Sequence, residues 1–113
     1  MGDRANVVVQ EEDGGKIFLY THWGGYRLPE VLQSALKRGR NRWNDDAYLT
    51  RIIFCEMVKG SEMEETGYGI STYECDNEHE HLVVDIKTQQ VICGEKNWGF
   101  QEFVDAVDPI PDF

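Results

Sequence analysis

Valine fills positions 7, 8 and 9, and this apolar run sits inside a strand predicted over 5–12. Asp13-Gly14-Gly15 supplies the residues of a tight turn, and Lys16 to Trp23 reads as a second strand, so the two form an antiparallel hairpin. Gly24-Gly25 breaks the strand. Leu28, Val31, Leu32, Ala35 and Leu36 then recur at helical spacing and make one apolar stripe, with Pro29 fitting the first helical turn. Lys37 and Arg38 suit the negative end of that helix, and Gly39 can take the left-handed closing position.

Arg40 to Asn44 links to a second predicted helix with Asp45 as its N-cap. Tyr48, Leu49, Ile52, Ile53, Met57 and Val58, with Phe54 and Cys55, spread a wide apolar arc around it. That breadth predicts a helix more buried than the first and lying across the sheet. Gly60 ends it, and the acidic 61–67 segment is a loop. Tyr68 to Cys75 alternates as a half-buried strand. The polar stretch 76–81 turns the chain, and 81–86 and 90–93 form another hairpin around Thr88-Gln89. Trp98, Phe100, Phe103, Val104 and Val107 indicate a short helix from about Gly99, stopped by Pro109, before a tail that is an extended strap or frayed. The expected fold is therefore α+β, a single domain over 1–113 in the order ββ-αα-βββ-α. Its mostly antiparallel five-stranded sheet carries the helices on one face.

Composition changes this picture in a few places. A net charge of −10, from 21 acidic against 11 basic residues, repels phosphate backbones at long range and argues against direct nucleic-acid binding. It leaves room for a local anion pocket, or for an acidic face that meets a basic protein. No apolar run reaches the roughly 20 residues of a membrane span. The opening MGDRANVVV lacks a signal-peptide pattern, so a cytoplasmic protein without membrane partners is expected. Cys55, Cys75 and Cys93 have neither the number nor the spacing of a disulfide framework or zinc knuckle, and Cys55 and Cys93 read as core fillers.

The richest chemistry lies in Thr21-His22-Trp23-Gly24-Gly25-Tyr26-Arg27. It combines a hydroxyl, an imidazole, aromatic faces, a flexible backbone and a cation where a strand feeds a helix. Such a corner suits a nucleotide-like anion; it is equally an ordinary way to turn a chain. Arg51, inside an apolar helix, must either reach the surface or pair with a carboxylate such as Glu65 or Asp3. If it points inward it anchors an anion, together with Glu65, Thr66 and Tyr68 of the following loop. Cys75 to His81 gathers thiol, imidazole and carboxylate groups but has no metal-ligand spacing, so a polar turn is expected and no metal or other cofactor. No nucleophile motif is present, so no catalytic residue is assigned. His22 as a general base is the weaker enzymatic alternative, a small hydrolase or transferase. The basic run 37–42 reads as a helix end and a solvated loop.

The segments GDRANV (2–7), LYTHWGG (19–25), RW (42–43), YLTRIIF (48–54) and ETGYGIS (65–71) together resemble a group of small uncharacterised proteins of bacteriophages, prophages and bacteria. The resemblance implies a phage-type accessory protein acting in the host cytoplasm, a class rich in inhibitors of host defence. Two expectations follow. One is a non-enzymatic binder of a small nucleotide-like anion at the Thr21–Tyr26 corner. The other is an acidic module that inhibits a basic, nucleic-acid-binding host protein, with self-association as a further expectation.

Overall fold

The structure, a computed structural model, describes residues 2–113. Strands β1 (Ala5–Gln10) and β2 (Lys16–Thr21) pair antiparallel as expected, Val7 opposite Leu19 and Val9 opposite Ile17. A single 3-10 turn over Gly25–Arg27 leads into α1 (Leu28–Arg38), and α2 (Asp46–Val58) follows. Then come β3 (Tyr68–Ser71), β4 (Leu82–Asp85), β5 (Gln90–Cys93), β6 (Lys96–Gly99) and α3 (Phe100–Asp105). The α+β class and a mostly antiparallel sheet are as expected, but the sheet has six strands, ordered β3-β2-β1-β4-β5-β6, and is mixed, with one parallel pair.

Two corrections explain the difference. Lys96–Gly99 is a strand, not the approach to a helix: Gly94, at φ +60, turns the chain so that Val91 faces Trp98 and Ile92 faces Asn97. The strand expected over Tyr68 to Cys75 ends at Ser71, and the 72–81 stretch is not a simple turn. It crosses from β3 at the sheet edge to β4, which pairs parallel with β1, Val7 opposite Leu82. A parallel neighbour requires such a crossover connection. Asn6 fastens it: this fully buried side chain donates from Nδ2 to the carbonyls of Cys75 and Asp76. Arg4 adds ion pairs to Asp76 (3.1 Å) and Glu78 (3.2 Å).

Side-chain alternation puts Ala5, Val7, Val9, Leu19, Leu82, Val84 and Val91 on one face, where they meet Leu32, Leu36, Leu49, Ile53 and Phe103. Helix α1 delivers the stripe read from its sequence, with Leu28, Leu32, Ala35 and Leu36 buried. Helix α2 is narrower than its apolar content suggested. Only Leu49, Ile53 and Met57 are buried, one side of a 3.6-residue repeat, and Cys55 is exposed rather than a core filler. Asp45 caps α2 by accepting from the Tyr48 N–H at 2.9 Å. The final segment is a strap: Ile110 is buried, and Phe113 stacks on His79 with centroids 4.5 Å apart. Among the described residues no helix is long and apolar enough to cross a membrane.

Candidate functional site

The corner after β2 is built around a residue from the other end of the hairpin. Asp3 accepts the Gly25 N–H on its backbone carbonyl at 2.9 Å and the Tyr26 N–H on its carboxylate at 2.8 Å. Its other carboxylate oxygen lies 2.5 Å from Nε2 of His79, which arrives from the crossover. The hydrogen bond from His79, with help from the Tyr26 N–H, holds the Asp3 carboxyl below its ordinary value of 3.8 despite the opposing effect of burial. Ionised Asp3 is an acceptor only, so His79 carries its proton on Nε2. The corner therefore does hold an anion, the chain's own Asp3 carboxylate, but through the Tyr26 N–H; Gly25 binds only the Asp3 backbone carbonyl. Gly25 is needed for this approach, because a Cβ there would lie 2.6 Å from the Asp3 carbonyl oxygen and 2.9 Å from the Ala5 Cβ.

Beside the corner, on the helix face, a cavity of about 420 Å³ opens between the end of β2, the start of α1 and the end of α2. Thr21, Trp23 and Gly24 line one wall, Arg27 and Glu30 a second, and Met57, Lys59 and Tyr68 a third. The Trp23 indole is 53% exposed. Its buried face lies on Gly67, where a Cβ would come within 2.9 Å of the ring and φ is +101. The Thr21 hydroxyl donates to the Trp23 carbonyl and fixes the turn. Glu56 at the rim is paired with Arg38 at 3.0 Å. Arg27 and Lys59 have no ion-pair partner among the described residues.

No family model matches the chain, and it matches no curated protein and no solved structure.

Of the residues singled out from sequence, Thr21, Trp23, Gly24 and Tyr68 meet on this cavity. His22 lies at the same corner without lining it; its Nδ1 is 2.9 Å from the Tyr20 hydroxyl and its ring stands edge-on to Trp23. Gly25 is buried against Asp3, and the Tyr26 side chain is exposed. Glu65 and Thr66 are exposed in the loop before β3. Arg51 is elsewhere: it is exposed on α2 with Nη1 3.8 Å from Cys55 Sγ, because position 51 falls on the side of the helix opposite Leu49, Ile53 and Met57. Its pairing with Asp3 or Glu65 does not occur. The cation that sequence reasoning missed is Lys59, one residue past α2, which nothing in its local pattern marks out.

A second cavity, of about 470 Å³, is bounded by His79, Cys93, Ile110 and Phe113 with Glu78, Glu80, Glu95 and Asp112 around it. Burial raises the Cys93 thiol's pKa, helped by Glu80 and Asp112, so this thiol is a poor nucleophile. Among the described residues no group of three or more His, Cys, Asp or Glu side chains is placed to hold a metal.

Proposed function

We propose that the protein is a non-enzymatic binder of a small planar anion, of nucleotide type, in the cavity beside Trp23. One observation carries the reading: a half-exposed indole and two cations without carboxylate partners border the same space. A volume of about 420 Å³ falls in the range of small-molecule sites. Trp23 and Tyr68 supply stacking faces, while Arg27 and Lys59 supply charge for a phosphate or carboxylate. The Gly25 and Tyr26 N–H groups take no part, since both donate to Asp3. Taken with the sequence likeness to small phage proteins, such a binder would work by sequestering a nucleotide signal in the host cell.

The test is a titration with AMP, ATP, cyclic AMP and inorganic phosphate, read by Trp fluorescence and thermal shift. Nucleotides are expected to quench the exposed Trp23 and to raise the melting temperature. Both effects should weaken about tenfold or more in Arg27→Ala and in Lys59→Ala, the scale of a lost charge-assisted contact. Phosphate alone should bind less tightly than the nucleotides, because it cannot stack. Absence of any shift at millimolar nucleotide overturns the reading.

A further inference from the structure

We propose that the β3 edge of the sheet is a docking site for an extended, basic segment of a partner protein, which adds to the sheet as a seventh strand. This goes beyond the cavity and does not depend on it. The Tyr68 side chain faces the cavity, whereas the proposed docking uses its backbone.

The ladder registers settle which backbone groups are open. The His22 N–H donates to the Gly67 carbonyl at 2.8 Å, in the same register that pairs Tyr20 with Gly69 and Phe18 with Ser71. Hydrogen-bonded and non-bonded pairs alternate in an antiparallel ladder. Gly67, Gly69 and Ser71 therefore turn their N–H and C=O groups toward β2, and Tyr68 and Ile70 turn theirs outward. The β1–β2 pair agrees. The Glu11 N–H bonds the Gly15 carbonyl, which continues the register of Val7 with Leu19 and commits Leu19 and Thr21 to β1. No backbone hydrogen bond engages Tyr68 or Ile70 on the outer side among the described residues.

Proteins guard such edges with lysine, proline or a bulge. The opposite edge, β6, begins with Lys96. Strand β3, Tyr-Gly-Ile-Ser, has none of these devices. Instead it carries Ile70 at 61% exposure, with Trp23 and Tyr73, also exposed, at its two ends. Exposed apolar groups around an open edge mark an interaction surface.

Charge selects the occupant. Glu62, Glu64 and Glu65 precede the strand, exposed and without an ion-pair partner among the described residues, and Glu74, 2.6 Å from His81, follows it. A second copy would bring the same carboxylates face to face, in a chain already at −10. A basic strand meets them favourably.

The probe is a synthetic peptide of alternating lysine and valine, compared with its glutamate–valine counterpart. Amide exchange and chemical shifts are read by NMR on the intact protein. The lysine peptide is expected to slow exchange at the Tyr68 and Ile70 amides at least tenfold, with an affinity that falls as salt rises. The glutamate peptide should do nothing. Ile70→Pro removes an outward N–H without touching the β2 ladder, so it should keep the folded spectrum and abolish the protection. Should that variant unfold, Ile70→Thr replaces it, with binding expected to weaken as the apolar contact is lost. Three results overturn the proposal: no protection at millimolar peptide, equal protection by both peptides, or protection of these amides at high protein concentration without peptide, which would assign the edge to self-association.

Discussion

Asp3 joins the N-terminal segment to the β2–α1 corner by its carbonyl and carboxylate, and to the crossover through His79. Its removal leaves the Tyr26 N–H and the His79 ring without a partner. Asp3→Ala is therefore expected to cost about 1–3 kcal/mol in urea denaturation, the usual penalty for charge-assisted hydrogen bonds at a partly exposed site. The same residue sets part of the acid limb. Asp3 and Glu78 are both held below their ordinary values, Asp3 first by the bond from His79 and Glu78 first by the Arg4 N–H. Depressed carboxyls bind protons more weakly in the folded state, so their stabilisation is complete above the ordinary values of 3.8 and 4.5. It is lost as pH falls through the folded ones. Glu11 runs the other way, raised by burial and by Asp46 and Asp13, so its protonation favours the fold. The two depressed carboxyls set the acid limb, so the urea midpoint should fall as pH drops below the ordinary carboxyl values of 3.8 and 4.5, and less steeply in Asp3→Asn. An unchanged slope in that variant would show that Asp3 is not part of the acid response.

At the level of elements, the paired glycines differ in what they do. Gly24 takes φ +76 with open space where a Cβ would stand, whereas Gly25 has ordinary φ but backbone against its α-hydrogen. Gly25→Ala should therefore destabilise by about 1–3 kcal/mol as the corner shifts from Asp3, a cost typical of overpacking. Gly67→Ala combines a positive φ of +101 with a collision against Trp23. It should move the indole and change its emission as well as lower the melting temperature. Ile53→Ala, in the fully buried stripe of α2, is expected to cost about 2–5 kcal/mol. How much of this could be read in advance depends on the element. Helix α1 was legible because its stripe and proline are local, although Gly39 closes it at φ −91 and not in the expected left-handed conformation. Strand β6 was not, because Lys-Asn-Trp-Gly has a single large apolar residue and its pairing rests on a turn at Gly94. The parallel seating of β4 beside β1 was also hidden, since a polar connection of that length reads like a hairpin turn and local pattern does not name a neighbour. Half the site followed the same rule. Thr21, Trp23, Gly24 and Tyr68 stand out by residue type at a strand end, but the facing of Arg51 and the arrival of Lys59 are set by helix phase and tertiary packing.

For the molecule as a whole, the dominant electrostatic fact is the excess of ten negative charges on 113 residues. The ion pairs of Arg4 with Asp76 and Glu78 lie between partly or largely exposed side chains, and Arg38 is exposed although its partner Glu56 is mostly covered. Such pairs contribute about 0–1 kcal/mol each and weaken as salt rises. Self-repulsion among the remaining carboxylates acts in the opposite sense, and it acts over the whole surface. Most of those carboxylates lie on loops rather than in paired geometry: Glu62, Glu64 and Glu65 before β3, Glu80 and Glu95 around the second cavity. Screening becomes effective once the Debye length falls below about 10 Å, near 0.1 M salt. Repulsion is therefore expected to be the larger effect, and the melting temperature at pH 7 should rise by about 2–4 °C between about 20 and 300 mM sodium chloride, equivalent to about 0.5–1 kcal/mol for a chain of this size. Charge reversal of Glu62, Glu64 and Glu65 to lysine should flatten this dependence, and the same triple variant should lose the lysine–valine peptide at the β3 edge. A melting temperature that falls with salt would show instead that the Arg4 and Arg38 pairs outweigh the net charge, and that the acidic loops are held apart by the fold.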